Sequence, residues 1–333
     1  MLRDSEALYV FMIKYILYTT ITTLLIVSCS NTANKSNDSE TDNTKVEHYA
    51  PGTRHVKISM DMNKISSWQE YNNAIDHYWD DFEFTCGERI IEYDTLQVMQ
   101  AFAHYIGYLG YGTTHERCDS LLSSLIHRTE HSRQVFDFFA HITECVLHDP
   151  NSPLHNDEYY IPILKVMVES PLLDEYDRIA PAYDLEMASK NRVGHIANDI
   201  VYTLANGESG RLHTIDAEYI ILMFSNPGCP MCRDITAQIS ASPLINTLMQ
   251  NGVIKVLSVY PDEDLAAWRE HLDDMPDNWI KSYDKGIKIT QERTYNLNAI
   301  PSLYLLDRDK RVMIKDGVSV GQIENVIGTT YVR

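Results

Sequence analysis

The spacing of apolar positions changes once along the chain. From residue 55 to about residue 190 they recur at intervals of three and four, the period of helices that bury one face. Ile65–Phe84 carries Trp68, Tyr71, Ile75, Tyr78, Trp79 and Phe82 on such a stripe. Further helices are predicted over Thr95–Leu109, Thr114–His127, Ser132–Leu147, Glu158–Ser170 and Leu173–Lys190. Turn signals interrupt them at Gly110-Tyr111-Gly112 and Asp149-Pro150-Asn151-Ser152-Pro153. The pattern predicts an all-α helical domain over 55–192, a bundle of stacked helical hairpins.

From Val193 short apolar runs replace the helical stripe. Strands are predicted over Ile200–Leu204, Tyr219–Phe224, Ile254–Tyr260, Trp279–Tyr283, Ser302–Leu306 and Val312–Lys315. Helical stretches fall between several of them: Cys232–Ser240, Asp264–Leu272, Ile289–Tyr295 and Gly321–Ile327. Strands alternating with helices predict a layered α/β fold over 193–333. The polar run Asp307–Arg311 fits a hairpin loop between the last two strands.

The N-terminus follows a different rule. Lys14 precedes an apolar run, Tyr15–Val27, that ends in Ser28-Cys29. A cationic flank, a short apolar core and a small residue before a cut predict a secretory signal peptide over 1–28, with Met12 as the expected start. The run is shorter than the ~18–20 apolar residues that span a bilayer as a helix. Ile26-Val27-Ser28-Cys29 resembles a bacterial lipobox, which implies a diacylated Cys29 as the mature N-terminus; the alternative is an uncleaved anchor in which Cys29 is incidental. Residues 30–50 are rich in Asn, Ser, Thr and Asp, with too little apolar surface to offset the entropy of ordering. They predict a polar linker over 29–54 like the spacers of Bacteroidetes lipoproteins. The expected location is the cell envelope, lipid-anchored and facing the periplasm or cell exterior.

Composition narrows the function. Asp and Glu number 47 against 28 Lys and Arg, a net charge of −19, which argues against nucleic acid as a partner. Apolar residues at 44% and charged residues at 23% are the balance of a globular protein. The 21 Tyr and 4 Trp fit core and interface, and no flavin, haem or nucleotide motif appears, so no cofactor is expected.

One run carries chemistry: Ile220-Ile221-Leu222-Met223-Phe224-Ser225-Asn226-Pro227-Gly228-Cys229-Pro230-Met231-Cys232. A buried strand ends in a Pro-Gly turn, and C-x-x-C then opens a helix. The unpaired amides and positive end of that helix favour a thiolate on Cys229. Pro230 suits the first helical turn, where its missing N–H costs nothing. Cys232, one turn deeper, is shielded. Cys229 is thus the candidate nucleophile and Cys232 the resolving thiol of a redox disulfide. A zinc half-site or a static disulfide are the other uses of such a pair. Zinc would want a second pair of ligands, and the chain has no other C-x-x-C.

Together with Asn298-Ala299-Ile300-Pro301-Ser302-Leu303-Tyr304-Leu305-Leu306, the motif resembles the thioredoxin superfamily over about Val193 to Ile327. The likeness is greatest to the membrane-anchored, extracytoplasmic branch that includes the reductases of cytochrome c maturation. That branch has an extra β-α segment, which Val253–Lys281 can supply. The resemblance implies a cis peptide before Pro301, a backbone contact from Ile300 to the substrate peptide, and substrate contacts by Pro230 and Met231. It also exposes departures. Pro227-Gly228 stands where the family usually has Trp before the first cysteine. The strand and helix positions for a proton-accepting acid are Met223 and Ile235, and Asp234 is expected to face outward. The stretch His77–Phe82 resembles an uncharacterised helical domain that precedes thioredoxin modules in Bacteroidetes proteins, and no activity follows from it.

The pairs His115/Cys118 and His141/Cys145 have helical spacing, but buried thiols or one disulfide, with Cys86, are preferred to a metal site. Arg233, beside Cys232, is expected to be a solvated charge. The resulting expectation is a thiol–disulfide oxidoreductase acting on protein thiols and disulfides, reductive by family likeness, recharged by a membrane or periplasmic redox donor. The alternative is a non-catalytic thioredoxin-fold lipoprotein that serves binding or surface assembly. The single-Cys pattern of peroxiredoxins is missing.

Overall fold

The computed structural model describes residues 58, 60–61, 64–317 and 319–331. The signal segment, Cys29 and the linker through residue 54 lie outside the described residues. The chain forms two compact units that divide between Leu185 and Glu186. No helix among the described residues is long and apolar enough to cross a membrane.

The first unit is helical: α1 (Trp68–Asp76), α2 (Thr95–Leu109), α3 (His115–Thr129), α4 (Arg133–Thr143), α5 (Asp157–Glu169) and α6 (Ile179–Ala188), the last running across the division. Side chains at the helix starts accept otherwise unpaired amides: Ser67 from Glu70, Asp94 from Leu96 and Gln97, Thr114 from Arg117, Asn156 from Glu158 and Tyr159.

Three helical expectations need correction. The stripe from Ile65 to Phe84 is not one helix, because α1 stops at Asp76 and tight turns follow, with Asp80 N–H donating to His77 and Phe82 N–H to Trp79. Phe82 and Phe84 are both buried, and residues two apart cannot share a helix face; the turns bring both rings against Phe139. The helix expected over Ser132–Leu147 is α at first and becomes a π turn at Glu144–His148, where Asp149 N–H reaches back to the Glu144 carbonyl. The helix expected from Leu173 starts only at Ile179. Asp174 draws the Tyr176 and Asp177 amides into a turn, and Arg178 donates to the carbonyls of Ser170 and Leu173.

The second unit is the expected α/β layer. Its strands are β1 (Val201–Leu204), β2 (Ser209–Arg211), β3 (Tyr219–Phe224), β4 (Ile254–Tyr260), β5 (Ile280–Tyr283), β6 (Ser302–Asp307) and β7 (Val312–Ile314), in one sheet of order β2-β1-β5-β4-β3-β6-β7. β4 pairs parallel with β3 and β5, and the other pairings are antiparallel. Its helices are α7 (Pro230–Ala241), α8 (Pro243–Gln250), α9 (Leu265–Glu270), α10 (Lys288–Gln291) and α11 (Val320–Tyr331).

β3 is buried at every position because both faces of the sheet are covered. Ile220, Leu222 and Phe224 face a cluster with Leu257, Tyr295 and Tyr304. Tyr219, Ile221 and Met223 face the opposite cluster, which α7, α8 and α11 close with Ile239, Ile245 and Ile323. This clamp on β3 fixes where its C-terminal end, and the motif after it, come to lie.

Candidate functional site

The motif is built where β3 runs out. Ser225 N–H makes a last bond to the Val259 carbonyl, and Cys229 N–H closes a turn onto the Asn226 carbonyl. Between them Gly228 takes φ +74°, a left-handed conformation that glycine adopts without a Cβ penalty. Pro230 then occupies the first turn of α7. Cys229 caps this helix: its Sγ accepts the Cys232 amide at 3.3 Å.

The loop before β6 meets the motif from the other side. The Ile300–Pro301 peptide is cis, and the Cys229 thiol lies 3.8 Å from the Ile300 carbonyl oxygen, to which it donates. Ile300 is partly buried and packs against both core clusters. Pro230 is exposed and Met231 is 64% exposed, so the two residues between the cysteines form an open rim.

Cys232 has the opposite setting. It is 5% exposed, within the cluster that holds Met223, Ile235 and Ile239. Burial first, and then its hydrogen bond with the Cys229 thiol, push its thiol up to about 12, against a smaller downward pull from the Asn226 backbone. Met223 is 1% exposed and Ile235 8%, so the positions where the family resemblance puts an acid hold apolar side chains. Asp234 is exposed. An accessible thiol at a helix start, beside a buried one a turn away, can capture a sulfur and pass it on.

Two family models match separate stretches of the chain. Residues 216–312 match a family model described as Thioredoxin-like, and residues 28–191 match Domain of unknown function DUF5106. The crystal structure of a thioredoxin-like protein from Bacteroides caccae ATCC 43185 is 34% identical, over 82% of this chain and 97% of that one, with a TM-score of 0.76. The chain belongs to the thioredoxin-like proteins. The C-terminal domain of an uncharacterized protein from Bacteroides fragilis NCTC 9343 is 41% identical over 42% of this chain and 99% of that one, with a TM-score of 0.41. Nucleoredoxin from Xenopus laevis is 24% identical over 113 residues, 34% of this chain. The match spans only 27% of nucleoredoxin's length.

This thioredoxin-like chain brings Cys229, Cys232, Ile300 and Pro301 together. The helical unit treats its two Cys/His pairs differently. Cys118 is buried and its thiol faces the Leu109 carbonyl at 3.7 Å, whereas His115 is exposed. Cys145 does meet His141, at 3.7 Å from Nε2. Cys118, Cys229 and Cys232 are free thiols in this structure.

Sequence reasoning missed the cavity of about 660 Å³ beside Cys232, walled by α7 and by the segment after β4, with Trp268, His271 and Asp273. Its signal in the sequence is the polar, Pro-ended stretch Asp273-Asp274-Met275-Pro276, which lies within the extra β-α segment Val253–Lys281.

Proposed function

We propose that the C-terminal unit is a thiol–disulfide oxidoreductase for protein substrates, with Cys229 as nucleophile and Cys232 as resolving thiol. One observation carries this reading: the Cys229 sulfur caps a helix, accepting the Cys232 amide, and sits half-buried against the Ile300 carbonyl. A thiolate formed on that sulfur during exchange meets the Cys232 amide at the start of α7. An extended substrate peptide fits alongside Ile300 and Pro301, with Pro230 and Met231 as the apolar rim.

In the reductive direction, which the family resemblance favours, the Cys229 thiolate attacks a substrate disulfide and one substrate sulfur leaves as thiolate. Cys232 then attacks Cys229, the mixed disulfide breaks, and the second substrate sulfur is released. Two electrons pass to the substrate and a Cys229–Cys232 disulfide remains, to be reduced by a dithiol donor of the membrane or periplasm. Exchange of this kind needs no bound cofactor.

We further propose that the chain works in the cell envelope, held by lipid on Cys29. The order of Lys14, Tyr15–Val27 and Ser28-Cys29 supports this. Mass spectrometry of the mature N-terminus should find a diacylated Cys29, and an unmodified residue there overturns the anchor.

Met223 and Ile235 favour a second reading, a non-catalytic thioredoxin-fold component for binding or surface assembly, since they leave the pair without an adjacent acid. Insulin reduction driven by dithiothreitol separates the two. Catalysis by the full chain, lost in Cys229→Ser, supports the oxidoreductase; equal rates for the two proteins support the binding component.

A further inference from the structure

Resting on the exchange reaction of Cys229 and Cys232, a further question concerns the proton on Cys232. That thiol must lose its proton before it can resolve a mixed disulfide, and its burial against Met223 and Ile235 disfavours the thiolate. Neither neighbour can accept a proton.

The cavity beside Cys232 offers another route. One wall is the face of α7 bearing Cys232, Arg233 and Thr236, and the other is the end of α9 with Trp268, His271 and Asp273. His271 Nδ1 lies 2.9 Å from the Ala267 carbonyl oxygen. A carbonyl only accepts, so Nδ1 carries the hydrogen and Nε2 of the neutral ring keeps its lone pair. The bond therefore fixes the tautomer that can act as a base.

The charged groups around the cavity favour a proton arriving there. Asp273, Asp274 and Asp277 line it, with Arg233 as the cation on the facing helix. Asp277 is paired with Lys281 at 3.1 Å, and that ammonium also donates to the Leu272 carbonyl. Asp273 and Asp274 remain to stabilise an imidazolium, while a carboxylate is itself a weaker acceptor than imidazole at neutral pH.

We propose that His271 accepts the Cys232 proton through water in this cavity. The Cys232 S–H bond breaks and its proton passes through water to His271 Nε2. The electron pair left on Cys232 forms the bond to the Cys229 sulfur. The bond from Cys229 to the substrate breaks, and its pair leaves on the substrate sulfur as a thiolate. The imidazolium then returns its proton to bulk water. His271 is a proton-accepting residue at one remove and does not touch the reacting sulfurs.

Stopped-flow reaction of the reduced full chain with 5,5′-dithiobis(2-nitrobenzoate) reads the two steps separately. The first thionitrobenzoate released reports attack by Cys229, the second reports resolution by Cys232, and Cys229→Ser identifies both against the other thiols. His271→Asn should leave the first phase unchanged and slow the second about tenfold or more. In His271→Ala, imidazole in the buffer should restore the second phase. An unchanged second phase in both histidine variants overturns the proposal. So does a slow phase that imidazole fails to restore, which would mark a structural role. Absence of any Cys229-dependent release from the unaltered chain would instead remove the exchange reaction itself, and this inference with it.

Discussion

The Cys232 amide donates to the Cys229 sulfur across 3.3 Å, while the Cys232 side chain is buried in an apolar cluster at 5% exposure. One residue thus supports the outer sulfur with its backbone and withholds its own. The asymmetry comes from the start of α7. The Cys229 side chain lies outside the first turn as a cap, and a side chain three positions on points back onto the face packed against β3 and α11.

Alkylation should report this difference directly. In Cys232→Ser, iodoacetamide should modify Cys229 readily near pH 8. In Cys229→Ser, Cys232 should react at least about tenfold more slowly, since only an accessible thiolate is nucleophilic. Peptide mapping of the two variants over time measures both rates, and equal rates would contradict the burial of Cys232.

The raised Cys232 thiol also predicts a pH dependence of stability. A folded value near 12 lies above the ordinary thiol value of 9.0, so the fold holds this proton more tightly than the unfolded chain does. The stabilisation is complete below about pH 9 and is lost as pH rises towards 12. Tyr71, Tyr105, Tyr160 and Tyr295 are pushed up by burial as well and add to the same alkaline loss. A Cys229–Cys232 disulfide removes the cysteine contribution and leaves the tyrosines in place. The melting temperature of the reduced form should therefore fall more steeply above pH 9 than that of the oxidised form, and parallel slopes would refute the assignment.

The site was legible where local chemistry dictates it. Asn226-Pro227-Gly228-Cys229-Pro230 specifies strand end, turn and helix start by residues with few other uses, and β3 and β4 have the expected bounds. What was missed depends on long-range packing. β2 has only three residues, Ser209–Arg211, with no apolar alternation, and exists because Tyr202 pairs with Gly210 across the sheet edge. The region around Tyr78, Trp79 and Phe82 has a helical stripe, yet the aromatic cluster with Tyr105 and Phe139 outweighs that periodicity. The cavity beside Cys232 needs α7 and the segment after β4 to be placed first, and spacing along the chain does not reveal that.

Two glycines should fail for different reasons when replaced by alanine. At Gly228, φ is +74° and an added Cβ meets nothing within 4 Å, so Gly228→Ala should cost only the left-handed backbone penalty of ~1–2 kcal/mol. At Gly210 the backbone is ordinary, but an added Cβ would sit 2.4 Å from the Tyr202 ring. Gly210→Ala must displace that ring, at ~1–3 kcal/mol. A Tyr202→Leu background should relieve the second loss and leave the first unchanged, because only Gly210 faces that ring. Calorimetry of the full chain, the two alanine variants, Tyr202→Leu and the two double variants gives the comparison, and relief at Gly228 instead of Gly210 would reverse the assignment.

Met231 tests whether the rim between the cysteines belongs to the substrate. At 64% exposure it contributes little to the core, so Met231→Gln should change stability by no more than ~0.5 kcal/mol. A neutral replacement is needed, because a carboxylate two residues from the helix cap would oppose charge on the Cys229 sulfur. A folded protein substrate should lose apolar contact with the rim, raising KM for insulin reduction about threefold or more. A small aromatic disulfide needs no such contact, and its first-phase rate with Cys229 should stay within about twofold. Equal loss on both substrates would mean that Met231 acts on the sulfur, and no loss on either would remove it from the peptide-binding surface.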